Sequence, residues 1–551
     1  MPAQPHPYVF GIDLGTTFTS CARIRVGAFE PEAIPVDGHR KALPSVIWLQ
    51  EPGGRLHATV GHRAVEDATK ATASQGCLIE FAKRHIGRTG DDGRTWELGR
   101  HSFDPVDASA LILRKVKASA AEFDPTAPLL RAVVTHPRDF RLPQRNATAE
   151  AVAAAGIELI ETMNEPEAAA YMYFQPGEVH EPGMYLVFDL GGGTLDIAVI
   201  EVPRQGRIRV IDGHGVPRLG GKDWDDAMLK LFDAAGTAHH SHAFPYLSSV
   251  TPSTVATLRR KAVELKETAP RWKSKNLLID TELFEAFGGQ RFYDTSIAVD
   301  RDTWDAACRS LVGACEDAID AALKAVPGGE AKLVKVLPVG GSVRLPTVQD
   351  LLHRRFGDRL EPIDDRHGLD VELAVSQGAA RYASYLMAQR AEATAAAPGA
   401  APTQSRIQRL ADSAPATTLS HPLSVLTWSA HGEPLLDALL ARNADVPARC
   451  QRRYRIMSAG ETTTVDIYEL DGGALPSGVH PSGSVAFSAG TTVQEGDVIA
   501  VVLDVSESGR IQVHAIHERT GRRVEATLRD PTATSAPPAD RHTRLDAIEV
   551  V

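Results

Sequence analysis

Two glycine-rich turns constrain this chain more than any other feature of its sequence. Asp13-Leu14-Gly15-Thr16-Thr17 and Asp189-Leu190-Gly191-Gly192-Gly193-Thr194 each follow an apolar run, Tyr8–Ile12 in one case and Tyr185–Phe188 in the other. Each is followed by a second strand-like stretch, Phe18–Ile24 and Leu195–Val202. A turn without Cβ atoms lets backbone N–H groups come close to an anion. An aspartate beside such a turn is placed to hold a hydrated cation. One such turn is an ordinary hairpin. Two with matched flanks predict two related lobes closing on one polyphosphate and its Mg²⁺. The sequence has neither the Gly-x-x-x-x-Gly-Lys-Ser/Thr phosphate loop nor a Gly-x-Gly-x-x-Gly fingerprint opening a helix.

The pair resembles the two phosphate loops of the actin, sugar-kinase and heat-shock ATPase superfamily. Four further segments narrow the resemblance to the seventy-kilodalton heat-shock chaperones, the DnaK-like family. They are Phe81-Ala82-Lys83-Arg84-His85-Ile86-Gly87-Arg88, Met163-Asn164-Glu165-Pro166-Glu167-Ala168, Leu219-Gly220-Gly221-Lys222-Asp223-Trp224-Asp225, and Val339-Gly340-Gly341-Ser342-Val343-Arg344. Their order and spacing follow the family over residues 8–387. The resemblance implies an α/β fold: a two-lobed, actin-like ATPase domain over 1–387, followed by an all-β sandwich.

Composition agrees. A chain of 551 residues is too long for one ordinary core. An apolar content of 43% with 23% charged residues suits a globular protein. The net charge of −11 disfavours nucleic acid and anionic membrane surfaces as partners. No apolar run is long enough to span a bilayer, and no basic-then-apolar leader opens the sequence. Five scattered cysteines without a Cys-x-x-Cys suit free thiols in a reducing compartment, so a cytoplasmic location is expected.

Along the chain, residues 1–7 read as a loose Pro-rich tail. Alanine-rich helices are predicted near Ala147–Ala155, Glu167–Tyr173 and Trp304–Ala325. Residues 388–418 read as a flexible linker, because the run from Ala393 to Pro402 is almost wholly Ala, Pro, Gly and Thr. Period-two alternation at Val501, Leu503, Val505 and at Ile511, Val513 then predicts strands, with a hairpin turn at Ser506–Gly509. Further strands are expected at Leu435–Leu440, Val465–Tyr468 and Arg522–Leu528. Residues 419–530 resemble the family's β-sandwich peptide-binding domain, and Val465 and Ile467 fall at candidate cleft positions, although either can equally fill the sandwich core. Residues 531–551 read as a polar tail with no room for a helical lid.

Phosphoryl transfer to water needs a metal, charge stabilisation on the phosphates and an oriented nucleophile. The resemblance assigns Asp13 and Asp189 to Mg²⁺, and Asp196, seven residues after Asp189, to a further active-site carboxylate. It gives Lys83 the orientation of the attacking water, Glu165 support of the metal or water, and Thr194 a catalytic hydroxyl. Gly15, Thr16, Thr17, Gly191, Gly192 and Gly193 would cradle the phosphates of ATP or ADP. Gly340, Gly341, Ser342, Arg344 and Lys266 would hold the adenosine. Here the chain departs from the family: Val263, Glu267 and Pro270 stand where a glutamate, an arginine and a serine are usual. Glutamate cannot stack on a purine as arginine does, though Glu264 is near enough in sequence to reach the ribose. Pro137 and Arg145 match a pair that relays nucleotide state to the domain surface. His239-His240-Ser241-His242 reads as a solvated loop rather than a metal site.

The function expected is that of a stress-response chaperone that hydrolyses Mg-ATP to control binding of unfolded or extended peptides, with co-chaperones or a nucleotide-exchange factor as partners. A nucleotide-gated scaffold holding one dedicated partner is the alternative. A metabolite kinase is disfavoured by the β-domain and the heat-shock-type adenosine loop. Coupling between the halves is expected to be weak. Only Ile407, Leu410 and Asp412 approach the leucine- and aspartate-rich linker of the family, and two separated aliphatic side chains bury little surface to offset the entropy of ordering it.

Overall fold

The computed structural model describes residues 7–70, 76–88, 93–174, 180–204, 208–240, 252–268, 274–278, 296–363, 370–395, 418–429, 431–457, 463–476, 479–487, 493–506, 510–527, 541 and 544–551. The expectations for residues 1–6, for Pro270, for Ile407, Leu410 and Asp412, and for the turn at 507–509 lie outside them.

Both glycine-rich turns are hairpins, and each hairpin carries the same parallel partner arrangement. Tyr8–Leu14 pairs antiparallel with Phe18–Arg25 and parallel with Arg131–His136, which in turn pairs parallel with Glu158–Asn164. Gly183–Leu190 pairs antiparallel with Leu195–Val202 and parallel with Leu333–Val339. These strands are apolar on nearly every residue, as strands covered on both faces must be. Each lobe has its own apolar core, one including Phe10, Ile12, Leu111 and Val134, the other Phe188, Ile197, Trp224 and Trp304. Between the lobes, helices Glu165–Tyr173 and Ala374–Ala395 share a third core with Val9, Val133 and Val187.

The predicted helices form, with edges shifted by caps. Glu165–Tyr173 begins earlier than expected because Pro166 sits in its first turn, where its missing N–H costs nothing. Arg301–Leu323 and Leu142–Ala154 cover the other two. Helix Gly221–His240 continues through His239 and His240, where a loop was expected. Helix Ala374–Ala395 runs past residue 387, so the segment taken as linker starts helical, with Ala388 buried. An alanine-rich stretch is a good helix former when a neighbouring surface receives it. Residues 396–417 lie outside the described set.

The β-domain is a sandwich. One sheet orders Gly473–Ala474, Pro434–Leu440, Leu423–Trp428, Thr463–Tyr468 and Gly483–Phe487; the other orders Ala448–Arg455, Val498–Val505, Ile511–His517 and Arg522–Thr527. Val465 and Ile467 are buried with Leu423, Val485 and Val501 between the sheets. They fill the core and do not line a cleft.

The sandwich sits against the ATPase-like half. The side chain of Leu142 joins the sandwich core, and its backbone N–H donates to Glu469 Oε2 (2.6 Å). Arg145 Nη2 donates to Glu469 Oε1 (2.6 Å). Arg138 reaches Thr418 Oγ1 (3.2 Å), Asn443 Nδ2 donates to Asp212 Oδ1 (2.9 Å), and Arg442 donates to Gly213 O (2.5 Å).

The end of the chain is not a loose polar tail. Glu549–Val550 adds a parallel strand to His57–Val60, and Leu545 and Ile548 are buried in the first lobe's core. The sequence there looks polar because its apolar residues are spaced between charges that are themselves paired.

Helices Ala374–Ala395 and Glu165–Tyr173 pack at backbone contact. A methyl added at Gly378 would lie 1.8 Å from Ala168 O. Gly378→Ala gains about 1 kcal/mol of helix propensity, but forcing the helices apart costs about 3 kcal/mol. Net destabilisation of about 2 kcal/mol is expected, seen as a lowered urea midpoint at unchanged slope.

Candidate nucleotide site

The two glycine turns face one another across a cleft of about 440 Å³. Their contact explains the glycines. A Cβ on Gly192 would lie 1.9 Å from Thr17 Oγ1, and one on Gly193 would lie 2.3 Å from Thr16 Oγ1. Gly220 closes on the same loop, a Cβ there falling 2.5 Å from Gly193 N. The loop is fixed by Gly221 N–H to Gly191 O (3.0 Å), Lys222 N–H to Gly192 O (2.9 Å) and Ser342 Oγ to Gly191 O (2.9 Å). Arg84 donates to Gly193 O (2.8 Å) and to Asp223 Oδ2 (2.6 Å).

The hairpin register brings the carboxylates together. Asp189 and Asp196 are directly paired across their hairpin. Asp13 ends the equivalent strand of the other lobe and accepts a hydrogen bond from Thr135 Oγ1 (3.2 Å). Glu165 opens its helix at the junction with the strand ending at Asn164. Lys83 reaches the group through a bend at Phe81, whose φ of 56° is left-handed. That strained residue lies under Lys222 and Arg259, both within 5.1 Å of its ring. Lys83 Nζ then donates to Glu165 Oε1 at 2.5 Å, the two residues being 6% and 8% exposed.

Three carboxylates, Asp13, Glu165 and Asp189, thus face the Lys83 ammonium among the described residues at this end of the cleft, with Asp196 behind Asp189. Burial pushes the Asp13 carboxyl up to about 7, the charge of Glu165 adding to the rise and Lys83 opposing it. Asp196 is likewise pushed up to about 7 by burial and then by Glu165. Asp189 is driven well above the usual carboxylate range by burial, then by Glu165, Asp196 and Asp13. Such groups are relieved by taking up a proton or a cation. Among the described residues no three His, Cys, Asp or Glu side chains form a metal site by themselves, so a cation here would take its other ligands from water and phosphate, as Mg²⁺ does, with Asp13 and Asp189 as the proposed holders. Two buried oxygens facing this region, Thr17 Oγ1 and Asp196 Oδ2, have no hydrogen-bond partner among the described residues. Thr17 Oγ1 can donate to a phosphate oxygen or a water, and Asp196 Oδ2, an acceptor, can take a water.

The other end of the cleft is lined by Lys266, Glu267, Gly340, Gly341, Arg344 and Glu372. Lys266 is held by Asp225 (2.6 Å), and Arg344 Nε lies 3.4 Å from Glu372 Oε1. Glu264 turns away to Arg260 and Lys261 and does not line the cleft. Burial raises the Glu267 carboxyl. Every site residue expected from the sequence lines this cleft except Asp196, which lies just behind it. There a second cavity of about 320 Å³ meets Asp196, Thr194, Arg88, Pro137 and Arg141. Sequence reasoning gave no role to Thr135, Arg84 or Arg138, whose backbone N–H holds Asp196 Oδ1 (2.8 Å) while its guanidinium pairs with the buried Glu167 (2.8 Å). Arg84 stands beside Lys83 in a segment already singled out; Thr135 and Arg138 carry no local signal.

Residues 9–397 match the family model described as "Hsp70 protein". The chain is 31% identical over 387 residues to the chaperone protein DnaK of Elusimicrobium minutum (strain Pei191), covering 69% of this chain and 58% of that protein. It is 30% identical over 412 residues to the chaperone protein HscA homolog of Azoarcus sp. (strain BH72), covering 71% and 60%. To the chaperone protein dnaK of Cyanophora paradoxa it is 29% identical over 369 residues, 63% and 56%. The match therefore spans less than two thirds of each relative's length.

Glu267 lines the cleft at the position where the family resemblance expects an arginine to stack on the base. Glu267→Arg is expected to tighten ATP binding by about fivefold, roughly 1 kcal/mol, measured by calorimetry against GTP. Unchanged affinity for both nucleotides would show that the base is held by other groups.

Proposed function

The chain belongs to the Hsp70 family, and from that premise we propose that it binds Mg-ATP between its lobes and hydrolyses it slowly to control peptide binding by the β-sandwich. The observation that carries this reading is the cluster of Asp13, Glu165 and Asp189 around the buried Lys83, with Asp196 behind Asp189, set between two glycine loops. When bound, Mg²⁺ neutralises phosphate charge and fixes the phosphates in place. The chain's own residues supply the rest. Backbone N–H groups of residues 15–17 and 192–194 bind the phosphate oxygens, the Gly191 N–H being held by Thr194 O (3.1 Å). Lys83, locked by Glu165, orients the attacking water and stabilises charge developing on the γ-phosphoryl oxygens. Asp196 Oδ2 is placed to accept a hydrogen bond from water at the Thr194 side, its other oxygen being held by the Arg138 N–H.

No helix among the described residues is long and apolar enough to cross a membrane. A compartment with reduced thiols fits the described cysteines, all of which are free. Co-chaperones and a nucleotide-exchange factor remain part of the proposal, and so does a relay through Pro137 and Arg145. Arg145 supports that relay by meeting Glu469 at the domain contact. The burial of Val465 and Ile467 favours a second reading, a scaffold whose sandwich holds one dedicated partner.

Lys83→Ala should leave ATP binding nearly intact and slow single-turnover hydrolysis on the order of 100-fold; hydrolysis at the wild-type rate would remove Lys83 from the mechanism. An array of hydrophobic heptamers separates the two readings of the sandwich. Broad binding that weakens when ATP replaces ADP supports the chaperone, and a single binding sequence or none supports the scaffold.

A further inference from the structure

We propose that Arg541 and residues 544–551 form an intramolecular clasp, read by a dedicated acidic groove on the first lobe, which keeps the β-sandwich docked in every nucleotide state.

The groove is built for guanidinium groups. Arg541 is 1% exposed, and its fork meets Asp104 with Nη1 and Nη2 each at 2.8 Å from one carboxylate oxygen. Nη1 also donates to Asp107 Oδ1 (2.5 Å), and Nε donates to Glu150 Oε1 (2.8 Å). Arg544 donates to both oxygens of Asp107 (2.6 and 2.7 Å) and to Ser102 O (3.0 Å). Asp104 and Asp107 also cap the helix Pro105–Phe123, so neither can swing away without uncapping it. Asp107 is itself 1% exposed, and burial raises its carboxyl with Asp104 adding to the rise. Emptied of its arginines, the groove would hold three carboxylates close together, one of them buried, and lysine cannot replace a fork that meets one carboxylate with two donors.

Three other kinds of contact select the same segment. Leu545 and Ile548 enter the first lobe's core. The backbone extends a sheet edge through Val551 N–H to Ala58 O (2.9 Å) and Val60 N–H to Val551 O (3.2 Å). Arg114 pairs with Asp546 (2.7 Å). Main-chain pairing supplies affinity while alternate side chains supply specificity, as in recognition by strand addition.

The clasp acts on docking through connectivity. The last sandwich strand ends at Thr527, and residues 528–540 reach at most roughly 45 Å. The other end of the sandwich follows helix Ala374–Ala395. The sandwich is therefore tethered to the ATPase-like half at both ends, and each tether raises the effective concentration at its docking face. One helix, Leu142–Ala154, serves both attachments: Leu142 and Arg145 hold Glu469, and Glu150 holds Arg541. Nucleotide state then acts on the sandwich by local change at that shared helix rather than by wholesale separation.

The test uses the full chain with a specific protease site inserted between Ser535 and Ala536. Its readouts are small-angle scattering and the rate of nonspecific proteolysis within 396–417, first without nucleotide, so that failure of the ATPase reading cannot be confused with failure of the clasp. Before cutting, dimensions should be equal without nucleotide, with ADP and with ATP. After cutting, the segment should stay bound and co-purify, while the radius of gyration rises and proteolysis accelerates on the order of tenfold. Adding Arg541→Lys to the cut protein should release the segment, which a cut protein bearing only surface changes should not do. Expansion of the uncut chain with ADP, unchanged dimensions after cutting, or retention of the segment in the cut Arg541→Lys protein would each overturn the proposal.

Discussion

The structure depends on an electrostatic imbalance. Asp13, Glu165 and Asp189 converge from three elements on one ammonium, that of Lys83, and Asp196 stands behind Asp189 across its hairpin. Such a cluster is unfavourable in a bare interior and persists only because the surrounding lobes hold it. The hairpin pairing fixes Asp189 against Asp196, and the strained bend at Phe81 delivers the lysine. Under the proposed function a divalent cation and its polyphosphate would relieve the imbalance, and each lobe contributes one of the two aspartates proposed to hold the metal, Asp13 from one hairpin and Asp189 from the other.

The domain contact uses the same vocabulary. Glu469 accepts from the first backbone N–H of helix Leu142–Ala154 and from Arg145 on its next turn, where an anion is favoured by the helix dipole. Arg138 links the interface to the cluster directly. Its N–H holds Asp196, and its side chain reaches Glu167, Thr418 and Asn443. Asp196 and the sandwich thus share one residue as a direct connection. Pro137 precedes Arg138, so the proline that the family resemblance picked out is one residue away from the side chain that makes the connection.

Much of the fold was legible in local pattern. The apolar flanks of the two glycine turns read as hairpin strands and are hairpin strands. Period-two alternation in Val501–Val505 and Ile511–Val513 gave two paired strands in register. The cleft residues were legible because each sits in a short motif whose backbone shape is locally set. Val465 and Ile467 were not, since period two says only that they share a face. Which face is buried depends on a second sheet, and here both fill the core. The linker and tail misled for a related reason. Alanine-rich and charged stretches look unstructured until their partners are known: Arg390, inside the segment expected as linker, donates to Ile160 O, and Arg541 lies in the groove of Asp104, Asp107 and Glu150.

By itself the sequence determined the paired hairpins, the glycine positions that let the two turns touch, and, Asp196 apart, the set of residues that line the cleft between the lobes, because turns, strands and caps are settled by neighbours in the chain. Only the tertiary structure decided that Arg138 joins the cluster to the sandwich, that Glu264 turns outward, and that Arg541 lies buried among three carboxylates. Arg541 and Asp107 are 434 residues apart, and a pairing over that distance leaves no trace in local composition. It is fixed by burial, which makes an unpaired charge too costly to leave alone.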